Sequence, residues 1–159
     1  MVVSARTDDP GARWARYEFR SREEAAAVAQ HVASLLPEAI RVEFVLVELM
    51  VNAVEHGNLE IKAAKPELVR RGELEQEVAR RRADPRYCDR VAWLEVTRED
   101  AEVTFVIGDQ GPGFAWQAQT SLPVNDQPSG RGLVLARLMS SSGLAFNPEG
   151  NIVTVSVRW

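Results

Sequence analysis

Glu48, Asn52, Glu55 and His56 interrupt a stretch that is otherwise apolar, carrying Ile40, Phe44, Val45, Leu46, Val47, Leu49, Met50, Val51, Ala53 and Val54. At roughly 100° per residue the four polar side chains fall within about a third of a helix circumference. A carboxylate, an amide and an imidazole on one stripe of a mostly buried helix are costly unless something polar meets them. A divalent cation carrying phosphates and water would do so, because hard cations take oxygen ligands. Asn52 offers its amide oxygen to Mg2+, and Glu48, one turn earlier, can take a proton from a water or hydroxyl nucleophile. The plainer alternative is a stripe facing solvent, with His56 capping a helix end where a cation is favoured. For His56 alone that structural role is the better reading. For Glu48 and Asn52 as a pair, chemistry is.

Two glycine turns follow. Asp109-x-Gly111-x-Gly113 comes directly after an apolar strand pattern. A carboxylate there can accept the exocyclic amino hydrogen of a purine, and the glycines let the backbone lie against a planar base. Taken alone, this is better read as a plain turn rich in Asp, Gly and Pro. Gly130-Arg131-Gly132-Leu133 opens a helical pattern. Free N–H groups at a helix start form an anion site, to which Arg131 can add charge, though it can equally point to solvent. The plainer alternative is a flexible helix entry with Ser129 as N-cap. No Gly-Lys-Ser/Thr follows these glycines, so the turn is not a P-loop. In this order a metal ligand on a helix, a base reader after a strand and a phosphate turn before a helix describe a complete nucleotide site.

The elements needed to hold these groups are legible around them. Residues 1–12 read as a loose tail and residues 13–159 as one domain. Trp14 to Phe19 alternates as a strand. Ser21 and Glu24 form a capping box for a helix whose apolar stripe is Ala25, Val28, Ala29, Val32 and Leu35, stopped by Pro37. The polar-striped helix runs from about Glu38 to Gly57, with Gly57 placed as a left-handed C-terminal residue. A charge-rich helical insert spans about 62–88, broken at Gly72 and anchored by Leu68, Leu74 and Val78. Its arginines stand among glutamates, as on a solvated, ion-paired surface. Val91–Thr97 and Glu102–Ile107 read as a hairpin. A mobile loop at about 114–129 leads to a helix over Gly130–Ser142, and a closing hairpin runs from Leu144 to Trp159. Helices with late-clustering strands predict an α+β two-layer sandwich.

Composition excludes other classes. A net charge of −4 gives no basic surface for direct nucleic-acid binding. The single cysteine, Cys88, cannot form an intrachain disulfide, which fits a reducing compartment. Neither a secretory signal nor a membrane-spanning run is visible, so the expected location is the cytoplasm.

Glu48-x-x-x-Asn52-Ala53-x-x-His56-Gly57, Asp109-x-Gly111-x-Gly113-Phe114 and Gly130-x-Gly132-Leu133 resemble the boxes of the gyrase, histidine-kinase and MutL ATPase superfamily. Within it, the Asn-Ala-Val-Glu-His-Gly-Asn run is most similar to bacterial anti-sigma-factor serine kinases. The resemblance spans Arg13 to Trp159. It implies a Bergerat fold, with a mixed, mostly antiparallel sheet carrying helices on one face and a nucleotide lid at about 114–129. It implies ATP and Mg2+ as cofactors, Glu48 as catalytic base, Asn52 as metal ligand and Asp109 as adenine reader. Gly111, Gly113, Gly130, Arg131, Gly132, Leu133 and His56 would complete the nucleotide-binding set, and Thr154 would bring a hydroxyl near the base. The implied partners are an anti-sigma-factor antagonist, phosphorylated on serine or threonine, and a sigma factor. Relatives commonly dimerise, which leaves a homodimer open. Gln127-Pro128-Ser129 stand where such kinases often carry a basic residue. A non-catalytic, ATP-gated sigma-factor-binding module, or the ATPase domain of a two-component or phosphatase signalling system, is therefore the alternative. Ser140-Ser141-Ser142 also depart from the acidic residues of relatives.

Overall fold

The computed structural model describes residues 13–116 and 131–159. The expected tail and most of the expected lid lie outside the described residues. β1, Trp14–Phe19, leads into α1, Arg22–Ser34, through the expected capping box. Ser21 Oγ accepts from Glu24 N at 3.1 Å, and Glu24 reaches back to accept from Arg20 N at 2.7 Å. The α1 stripe Ala25, Val28, Ala29 and Val32 is buried, but Leu35 lies past the last turn and is 48% exposed.

The central helix departs from expectation at its end. α2 spans Ala39–Asn52 and passes into a π-helical turn, Ala53–Asn58. There the hydrogen-bond reach lengthens, as Leu59 N donates to Val54 O at 2.9 Å. Gly57 is not a left-handed cap: it lies inside this turn and is not among the positive-φ glycines. The insert forms α3, Lys65–Arg71, and α4, Leu74–Arg82, separated at Gly72, whose φ of 70° meets the expected break. Val78 is buried, with Leu68 and Leu74 packed partly against the core. Glu67 pairs with Arg70 and Arg71, and Glu77 with Arg80 and Arg81, as an ion-paired surface requires.

β2, Ala92–Arg98, and β3, Glu102–Gly108, form the hairpin. α5, Arg131–Met139, precedes β4, Ala145–Phe146, and β5, Ile152–Arg158. The sheet order is β1-β2-β3-β5-β4. Each pairing is antiparallel rather than mixed, because β4 turns the chain back before β5 joins β3. One face presents Tyr17, Phe19, Ala92, Leu94, Val103, Phe105, Ile107, Val153, Val155 and Val157, all buried beneath α1 and α2. Each large side chain so enclosed contributes roughly 1.5–3 kcal/mol. The alternate residues make the other face, where Arg16 pairs with Glu95 across β1 and β2. The molecule is an α+β two-layer sandwich with its helices on one face.

Candidate functional site

Strand parity places Asp109 on the helix side, in line with Val103, Phe105 and Ile107. Its N–H still holds the sheet, donating to Asn151 O at 3.0 Å. The carboxylate lies against the π-helical turn, so closely that a Cβ on Gly57 would overlap it. A Cβ on Gly111 would in turn strike the Gly57 carbonyl. Gly57 is therefore needed for the close approach of the Asp109 turn to the central helix. Gly111 N donates to Asp109 Oδ1 at 2.8 Å. Burial pushes the Asp109 carboxyl up to about 6, outweighing the Gly111 N–H and the Arg90 charge, which pull it down. Gly113 has φ 76°, and its missing side chain makes room for the Glu149 carbonyl, which accepts from Phe114 N at 3.1 Å. Trp116 Nε1 donates to Asn147 O at 2.9 Å, fixing the far end of this segment on the β4–β5 turn.

Two turns before its C-terminal end the central helix meets the third segment. A Cβ on Gly132, at the opening of α5, would overlap Glu48 Oε2. Neither Glu48 nor Asn52, both half-buried, has a side-chain hydrogen bond or ion pair among the described residues. One helix thus touches both glycine turns: Asp109-x-Gly111 at its end and Gly132 beside Glu48. The model of the histidine kinase-like ATPase domain matches residues 15–157, nearly the whole chain. The chain belongs to this family. A search of curated proteins finds no match.

The ATPase domain keeps some expected residues together and separates others. Glu55 leaves the stripe. It is 1% exposed, 3.2 Å from Arg22 and in contact with Lys65, so its charge is already answered within the protein. His56 is not the cationic cap. Burial, with Lys65 and Lys62 nearby, lowers its pKa to about 4 against the opposing pull of Glu55, and the ring is neutral at pH 7. Thr154 does not stand with Asp109. It pairs with Val106 and Ala145 on the sheet face away from the helices, while Val153 and Val155 take the inner positions. Leu133 is half-buried and packs against the core. Arg131 opens α5, and Gly130 and Gln127-Pro128-Ser129 lie outside the described residues. Ser141 and Ser142 serve the fold: their hydroxyls accept from Arg158 N at 2.8 Å and Ser156 N at 3.0 Å.

Residue typing missed Asn58 and Asn147. Asn58 Oδ1 accepts from Gln110 N at 2.8 Å, tying the Asp109 turn to the π-helical turn. Asn147 Oδ1 accepts from Gly150, Asn151 and Ile152 N at 2.9–3.0 Å and shapes the turn that holds Phe114. The signal for Asn58 was its place directly after His56-Gly57. Nothing around Asn147 beyond its turn composition marked it.

Proposed function

We propose that this ATP-binding domain is an anti-sigma-factor-type kinase, acting in the cytoplasm on a serine or threonine of an antagonist protein and otherwise holding a sigma factor. The observation that carries the reading is the Glu48 carboxylate beside Gly132, with the Asn52 amide one turn further along the same helix, neither of them paired among the described residues. Such a pair suits transfer to a hydroxyl. Glu48 takes the proton as the hydroxyl oxygen attacks, and Asn52 offers an amide oxygen to a cation. The donor set fits Mg-ATP. Asp109 is a buried acceptor facing glycines, and no three His, Cys, Asp or Glu side chains cluster as a metal cage among the described residues. A cation here would take most of its ligands from phosphate and water. Bound Mg-ATP supplies the phosphoryl group and a cation that offsets its charge.

Labelled ATP incubated with candidate antagonists should label the antagonist, and Glu48→Ala should reduce the rate by on the order of a hundredfold or more while ATP still binds. Labelling at the wild-type rate in that variant overturns the base assignment. Sigma-factor binding that ignores ATP, with no transfer to any acceptor, would favour the sequestering module over the kinase.

A further inference from the structure

Asp109 satisfies only one polar position of an adenine edge. Adenine presents an amino donor and, beside it, the ring-nitrogen acceptor N1. A carboxylate accepts from the first and has nothing to give the second. The residue expected to supply a second polar group, Thr154, stands on the other face of the sheet. Beside Asp109, Asn151 already gives its Nδ2 to the Asp109 carbonyl at 3.4 Å, and the next inner positions, Val153 and Val155, carry no donor.

Asn58 has the missing chemistry. It is 3% exposed and ends the π-helical turn, next to the Gly57 that lies against the Asp109 carboxylate. Its amide orientation is set: Oδ1 accepts from Gln110 N at 2.8 Å, so the other end of the amide is the Nδ2 donor. Nδ2 is buried and has no hydrogen-bond partner among the described residues. A buried amide donor left unpaired is costly, of order 1–3 kcal/mol, and the great majority of such groups find a partner. The backbone carbonyl of Asn58 is itself held by Arg90 at 2.9 Å, which fixes the residue from its other side. An orphaned donor therefore stands on the π-helical turn against which the carboxylate packs, one residue from the glycine that touches it.

We propose that Asn58 is the second base-reading residue of this site, its Nδ2 donating to adenine N1, directly or through one water, while Asp109 accepts from the amino group. The inference rests on the ATP-binding reading of the domain. It makes discrimination against guanine and hypoxanthine a property of the pair, because those bases carry an N–H at N1 that would face the Asn58 donor.

The test is a cycle of ligand and side-chain changes read by calorimetric titration. ATP, 1-deaza-ATP (which lacks only N1) and 7-deaza-ATP as control are titrated into wild type, Asn58→Asp and Asp109→Asn. Asn58→Asp keeps an oxygen for Gln110 N and loses the donor. Wild type should bind 1-deaza-ATP about tenfold more weakly than ATP, as one buried hydrogen bond is worth. In Asn58→Asp that ratio should collapse towards one, while the 7-deaza-ATP ratio stays as in wild type. Equal binding of ATP and 1-deaza-ATP by wild type overturns the proposal without any variant. An unchanged ratio in Asn58→Asp overturns it as well, and leaves Nδ2 to a trapped water. If wild type binds no ATP at all, the ATP reading itself fails. Weakened binding in Asp109→Asn with an Asn58-independent ratio sinks only the assignment to Asn58.

Discussion

At the scale of single residues, Asp109 combines a functional gain with a folding loss. Its raised pKa of about 6 comes from burial, so the ionised form that would accept a purine amino hydrogen is the one the fold disfavours. ATP affinity should therefore hold from pH 8 to about 6.5 and then fall, approaching tenfold per pH unit below 6 as the carboxylate protonates. Titrations across that range check it, and affinity that stays level to pH 5 would remove Asp109 from base recognition. Gly57→Ala tests the contact beneath the carboxylate. Helix propensity alone favours alanine by about 1 kcal/mol. The new methyl group would overlap the Asp109 carboxylate, though, and one of the two must move. Affinity for ATP should drop tenfold or more, with the melting temperature lowered too. An alanine variant that binds ATP as wild type does would show that the close approach is incidental.

Among elements, the π-helical turn explains where sequence periodicity works and where it stops. The buried stripe of α1, the capping box and the Gly72 break follow from residue spacing, because each is a local rule about one regular helix. Regular periodicity of 3.6 residues per turn puts Glu55 on the polar stripe, but the wider turn after Asn52 turns it towards Arg22 and Lys65. No residue type announces such a turn. Thr154 is the opposite case. The alternation Val153, Val155, Val157 already assigns it to the outer face, and only the family resemblance suggested otherwise. The meeting of Glu48 with Gly132, and of Gly57 with Asp109, depends on tertiary packing that spacing along the chain cannot give. The Glu55 triad joins α1, the central helix and the insert, since Arg22 also reaches Glu75 on α4. Lys65→Met should strip one cation from a carboxylate that is 1% exposed. Breaking a buried pair costs about 3–5 kcal/mol, and the partial exposure of Lys65 puts this one near the lower end. Combining it with Glu55→Gln should recover a large part of the loss in urea unfolding. Additive losses would mean the triad is not coupled.

For the molecule as a whole, the half-buried His56 and the buried Asp109 push the pH dependence of stability in opposite directions. His56 has its pKa lowered from 6.5 to about 4 by burial. Its contribution is fully present above pH 6.5 and is lost as pH falls through the folded value near 4. Asp109 has its pKa raised from 3.8 to about 6. Its contribution is fully present below pH 3.8 and is lost as pH rises through 6. Each shift is worth roughly 3 kcal/mol, and the two windows largely overlap. The pair therefore makes wild-type stability nearly level between pH 6.5 and 4 as far as these two groups decide it. Substituting one should expose the other. Asp109→Asn removes the group that gains stability on acidification, so its unfolding free energy should fall steeply from pH 6.5 to 4. At pH 7 the same variant should be at least as stable as wild type, having lost a buried charge, while its ATP binding is weakened. His56→Gln should show the reverse slope, gaining stability relative to its own value at pH 7 as Asp109 takes up its proton. Urea unfolding of the three proteins at pH 4, 5, 6 and 7 separates these curves. Parallel profiles for all three would mean that neither group titrates with the value its burial implies. Asp109 would then be an ordinary ionised turn residue rather than a strained acceptor held ready for a base.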